Sequence, residues 1–146
     1  MSPTVANVNI CLGFPSGPTP DQVELKHIQA LLDQGTFWAQ GRDLASLHQA
    51  LMRSDAVVTA WDGSLLVGLA RALSDGVYRA TIWDVVVLPE YRGRGLGKTL
   101  VETLLKTPAL TNVERVYLMT THCQAFYEHL GFQTNTTTTM ILTRER

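Results

Sequence analysis

Between positions 81 and 104 an apolar, β-branched run, Thr-Ile-Trp-Asp-Val-Val-Val-Leu, enters a turn and leaves it as a helix. The turn holds three alternate glycines, Gly93, Gly95 and Gly97. Together with a further apolar stretch at 115–119, this order predicts strand–helix–strand. Such a crossover is right-handed and joins two parallel strands. Glycine lets the backbone approach a ligand closely and adopt positive φ, so successive N–H groups can converge on one anion. The helix adds unpaired N–H groups and a positive dipole end, and Arg92, Arg94 and Lys98 bring formal charge to the same point. The combination reads as a pyrophosphate cradle.

Around it, periodicity predicts a weak first strand over 8–14, ended by Phe-Pro-Ser-Gly-Pro-Thr-Pro. Helical recurrence over 21–34 uses Val23, Leu25, Ile28, Leu31 and Leu32, and over 43–53 uses Leu44, Leu47, Leu51 and Met52. Strands at 56–61 and 65–73 flank Asp62-Gly63, a short-hairpin signal, and Asp75-Gly76 leads into a strand over 77–88. In the helix over 96–106, Leu96, Leu100, Val101, Leu104 and Leu105 share a stripe. A short helix at 123–130 follows, ended by Gly131, and a final strand is expected from Phe132 onward, because the threonine-rich run at 134–139 favours β structure.

A chain of 146 residues with 45% hydrophobic and 17% charged residues fits one globular domain, 1–146. No apolar run suits a membrane span, and the N-terminus carries no secretory pattern. Cys11 and Cys123 are too few for a disulfide framework and match no metal spacing, so a cytoplasmic location and no metal are expected. A net charge of −1 argues against a nucleic-acid partner. The local excess of cations between Glu90 and Lys98 suits a small polyanion instead.

A Walker A loop would need a glycine where Arg92 stands. A Rossmann turn would need one at Lys98 or Leu100. A third pattern fits: Arg92-x-x-Gly95-x-Gly97 resembles the acetyl-CoA loop of the GNAT superfamily of N-acetyltransferases. Val85-Val86-Val87-Leu88-Pro89 looks like that family's fourth strand, and Phe126-Tyr127-Glu128-His129-Leu130-Gly131-Phe132 looks like its tyrosine helix. The resemblance covers about residues 56–142, and 79–106 and 114–132 look closest to cyanobacterial and plastid members, some of which act on arylalkylamines or protein amines.

This resemblance implies an α/β domain with a mixed, mostly antiparallel sheet, one parallel splayed strand pair and flanking helices. It implies acetyl-CoA as co-substrate, held by Arg92, Gly93, Arg94, Gly95, Leu96, Gly97 and Lys98, by the backbone of Val85, Val86 and Val87, and by Thr120 and Phe126. Thr120 stands where family members often carry an asparagine. The acceptor would be a small-molecule amine, such as a serotonin-like arylalkylamine, or a protein amine, lined by Phe37, Trp38 and Trp83. A homodimer is compatible with the family.

Acyl transfer to an amine requires the neutral amine, roughly one molecule in 2,500 at pH 7 and equivalent to about 4.6 kcal/mol. It also requires oxyanion stabilisation and a proton for the departing thiolate. Tyr127 is the candidate proton donor, or a ring packed on Phe126 and Phe132. Asp84 is a charge in an apolar strand: it holds the acceptor or relays its proton, or it accepts bonds from backbone or an arginine such as Arg79. Polyamine-acetylating relatives carry a glutamate where this chain has Trp83. His129 is expected at the surface, and His122 either at the cofactor or in solvent. Phe37-Trp38 either stacks an aromatic amine or anchors a helix turn. The rival functional classes are a non-catalytic acetyl-CoA-binding sensor or interaction module and a nucleotide triphosphatase.

Overall fold

The computed structural model describes residues 7–136 and 139–145. Strand β1 (Asn9–Leu12) is followed by helices α1 (Gln22–Gly35) and α2 (Leu44–Met52). A meander of β2 (Ala56–Asp62), β3 (Leu65–Ser74) and β4 (Arg79–Val87) comes next. A single 3₁₀ turn (Pro89–Tyr91) leads to α3 (Leu96–Leu105), β5 (Arg115–Tyr117) and α4 (Gln124–His129). The sheet order is β1-β2-β3-β4-β5. Its first four strands run antiparallel, and β4 and β5 are parallel. This is the mixed sheet with one parallel pair that the crossover pattern predicts.

Local chemistry sets the helix starts. Asp21 accepts from the Glu24 N–H at 2.7 Å while the Glu24 carboxylate accepts from the Asp21 N–H at 2.9 Å, a capping box that starts α1. Asp43 starts α2 by accepting from the Ser46 N–H at 2.8 Å. The buried stripes of α1 (Leu25, Ile28, Leu31, Leu32) and α3 (Leu96, Leu100, Val101, Leu104) follow the apolar spacing. Val23 and Met52, both assigned to stripes from sequence, are exposed instead. They flank the faces that Leu25 and Leu51 already bury.

The two long helices cover opposite faces of the sheet. At the end of α1, a Cβ on Gly35 would lie 2.7 Å from Val86 Cγ1, so only glycine allows this approach to β4. The next residue, Val87, points the other way, towards Gly97 of α3. Gly68 on β3 similarly admits Leu100 of α3, whose Cδ1 would be 2.9 Å from an added Cβ.

One expected element is absent. Residues 132–136 and 139–145 form no strand, and Met140, Ile141 and Leu142 are exposed. Thr137 and Thr138, also placed in that strand from sequence, lie outside the described residues. Threonine's β preference reflects pairing and packing on a sheet surface more than backbone preference. Here the neighbouring β5 offers an edge of three residues. Leu118 and Met119, expected in β5, have already left the sheet.

Candidate active site

The parallel pair is the geometric origin of the site. Pairing of β4 with β5 runs from Arg79↔Arg115 to Thr81↔Tyr117 and then stops. Beyond Thr81, no described strand pairs with that edge of β4, while its other edge remains on β3 through Val87. The β3–β4 register also shifts between Leu69 and Arg71, so that Asp84 and Val85 form a bulge. Asp84 has φ 54, a left-handed backbone that aspartate tolerates better than β-branched residues do. The open edge and the bulge therefore fall on the same part of β4.

At the end of β4 the glycine turn takes the conformation its sequence predicts. Gly93 and Gly95 have φ 78 and 83. Gly95 occupies the N-cap of α3 with no side-chain cap, so the first amides of the helix are not satisfied from there. Gly97 has a different role: an added Cβ would meet the Phe126 ring at 3.4 Å and Val87 Cγ2 at 3.8 Å, which brings α4 against the start of α3. The three cations also differ. Arg92, exposed, donates from Nε to the Val87 carbonyl and from Nη2 to the Gly35 carbonyl, both at 2.9 Å. Its guanidinium ties the end of α1 to the exit of β4. Lys98 is exposed and 3.7 Å from Glu102.

Asp84 is buried, and both its oxygens accept hydrogen bonds. Its Oδ2 accepts from Arg71 Nε at 2.8 Å and from Arg42 Nη1 at 2.9 Å, and its Oδ1 from Trp38 Nε1 at 3.3 Å. Burial pushes its carboxyl towards a higher pKa, but the bonds and charges of Arg71 and Arg42 outweigh this and hold it below the usual aspartate range. The arginine named from sequence was the wrong one. Arg79 sits at the far end of β4, roughly 16 Å away along a strand, where it pairs with Glu114 at 3.4 Å. Arg42 and Arg71 were missed. The signal for Arg71 was present, since it interrupts an apolar strand as Asp84 does. For Arg42 nothing local distinguishes it from a surface arginine.

These groups border a cavity of about 420 Å³ between the α1–α2 loop and the segment after β5. Phe37 and Trp38 line it from the loop, their rings edge-to-face at 5.0 Å, and His122 faces Phe37 at 6.4 Å between ring centres. Trp38 ties the loop to Asp84 through its indole N–H and also lines the cavity. A second cavity of about 500 Å³ lies beyond Trp83, towards α4 and the chain after it. Trp83, Thr120 and Tyr127 line both. The Trp83 Nε1 is buried with no hydrogen-bond partner among the described residues. Thr120 accepts from the Cys123 N–H at 3.0 Å, which shapes the turn into α4. His129 is exposed and bonded to the Ala125 carbonyl, as expected of a surface residue.

Tyr127 packs edge-to-face on Phe126 at 4.9 Å and Phe132 at 5.7 Å. Burial, with a smaller electrostatic contribution from Cys123, pushes its phenol up to about 12. The ring is therefore fixed by aromatic packing while the residue borders both cavities in its protonated form.

The profile of the acetyltransferase (GNAT) family matches residues 25–132. The chain belongs to that family. It is 42% identical over 133 residues to an uncharacterized N-acetyltransferase ycf52 of Gracilaria tenuistipitata var. liui, covering 88% of this chain and 69% of that one. It is 37% identical over 123 residues to a probable acetyltransferase TAP2 of Glycine max, covering 76% and 48%. The chain thus spans about half the length of that relative. Among solved structures, a putative GNAT acetyltransferase of Xanthomonas campestris superposes with a TM-score of 0.74 at 29% identity, covering 88% of this chain and 86% of that one. Among the described residues, no group of side chains forms a metal site, and no helix is long and apolar enough to cross a membrane.

Proposed function

We propose that this GNAT domain transfers the acetyl group of acetyl-CoA directly to a primary amine. The observation that carries the reading is the parting of β4 and β5 after Thr81 and Tyr117, with Tyr127 beside the opening and the glycine turn at its end. The residues fit the co-substrate. The uncapped start of α3 and the left-handed Gly93 and Gly95 suit a diphosphate, and the edge of β4 around Val85 to Val87, which no described strand pairs although Arg92 takes the Val87 carbonyl, suits an amide-bearing arm. When bound, acetyl-CoA supplies a thioester: the acceptor nitrogen bonds to the acetyl carbon, the carbon–sulfur bond breaks, nitrogen loses a proton and sulfur gains one.

Tyr127 is suited to give that last proton, because its phenol stays protonated across the neutral range. Asp84 is unsuited to accept the first, because Arg71 and Arg42 hold its carboxyl below the usual aspartate range and so make it a poor base. It acts instead as the anchor that places Trp38 and Arg42 at the acceptor side, and water carries the amine's proton away. The aromatic lining of Phe37, Trp38 and Trp83 supports an arylalkylamine, serotonin-like in shape, ahead of a flexible protein amine. Two cysteines without a disulfide support a reducing, cytoplasm-like compartment.

Tyr127→Phe tests the reading. Turnover should drop about 10²- to 10⁴-fold while acetyl-CoA affinity, followed by calorimetry, stays near that of the unaltered chain. Unchanged turnover would remove Tyr127 from the mechanism.

A further inference from the structure

The acceptor-side cavity has a charge balance that a simple amine does not need. The titratable groups facing it are Arg42, Arg71, Asp84, His122, Cys123 and Tyr127. Two guanidiniums against one carboxylate leave a net positive charge with His122 neutral. The single negative charge of Asp84 is already outweighed by the two guanidiniums that donate to it, so no net negative charge is left for an incoming ammonium. The arginines, in contrast, have capacity left. Arg42 uses Nη1 on Asp84, and Arg71 uses Nε on Asp84 and Nη1 on Ser54 at 3.4 Å. Among the described residues nothing accepts from Arg42 Nε or Nη2, or from Arg71 Nη2. Both side chains are partly open, 35% and 16% exposed, beside the Phe37–Trp38 pair.

We propose that the amine accepted here also carries a carboxylate. The acid is held by the spare donors of Arg42 and Arg71, with an aromatic group against Phe37, Trp38 and Trp83 and the amine left towards Tyr127. A guanidinium offers a carboxylate parallel donors at fixed spacing, which is why arginine suits it better than lysine would. The same positive charge favours the neutral form of a nearby amine, the form that reacts. Asp84 then orients two arginines by their other donors without neutralising both. This inference rests on the acetyl-transfer reading and specifies its acceptor.

Thiol release from acetyl-CoA by the unaltered chain, measured with two matched pairs, tests the inference: phenylalanine against phenethylamine, and 4-(aminomethyl)benzoate against benzylamine. Spermidine and a lysine peptide serve as further acceptors. At least one acid should exceed its parent amine tenfold or more in kcat/KM. Arg42→Gln should bring that ratio near one, and Arg42→Lys should restore part of it. Ratios below tenfold in both pairs, with any of the six amines turned over, overturn the carboxylate inference and leave acetyl transfer standing. No thiol release with any of the six overturns both. The decisive ratio comes from the unaltered chain, so the outcome does not depend on the variants folding.

Discussion

The two edges of β4 behave as two different regions. Towards β3 the strand is paired from Ala80 to Val87 except at the Asp84–Val85 bulge, its residues pressed between α1 and α3, with Leu69, Val86 and Leu100 nearly or fully buried. Towards β5 it is bonded over three residues and then opens onto two cavities lined by Trp83 and Tyr127. The closed edge supplies the stability that lets the other stay open: a strand held on one side and covered on both faces can leave backbone groups on its second side available to a ligand. The Asp84 bulge joins the two, because it interrupts the β3 ladder in order to turn a carboxylate towards Arg42 and Arg71.

Substitutions should separate these regions. Asp84→Ala strikes their junction and leaves Arg71 half-buried without its partner. It should lower unfolding free energy by about 3–5 kcal/mol in urea titration and also abolish turnover. If it is as stable as the unaltered chain, the junction is not structural. Leu100→Ala strikes only the closed side and should lose about 2–5 kcal/mol, while the protein that remains folded keeps its KM for acetyl-CoA. A changed KM would mean the two edges are not independent. Gly95→Ala strikes the open side. Forcing alanine into φ 83 should cost about 1–2 kcal/mol and weaken acetyl-CoA binding seen by calorimetry, with no change expected if the turn does not hold the diphosphate.

Acidification gives the smallest effect. Because the Asp84 carboxyl is held below its ordinary value of 3.8, its contribution to stability is complete above that pH and is lost as pH falls through the lower folded value. Urea midpoints of the unaltered chain should therefore fall below about pH 4, and Asp84→Asn should flatten that part of the profile. Parallel curves for the two would contradict the ion pairs.

Much of this arrangement is legible along the chain because its signals are local. Periodic leucines mark α1 and α3, aspartates at 21 and 43 mark helix starts, and alternate glycines after an apolar run mark the turn. The expected last strand was misread because a threonine run encodes only a preference, and a strand forms only where an edge receives it. The misassigned partner of Asp84 has a related cause: Arg79 is near in sequence, whereas Arg71 arrives across a hairpin and Arg42 from a loop 42 residues away.

What the sequence by itself determined is the order of elements as far as α4, the parallel crossover, the glycine turn and the placement of Tyr127 beyond it, since each element carries its own local pattern and the crossover follows from their succession. Only the tertiary structure decided that Arg92 braces carbonyls, that Asp84 is bound by two arginines and an indole, and that the cavity beside Phe37 and Trp38 is lined by two guanidiniums and one carboxylate. Charge partners and cavities arise from chain segments meeting in space, and side chains far apart in sequence carry no mark of whom they will meet.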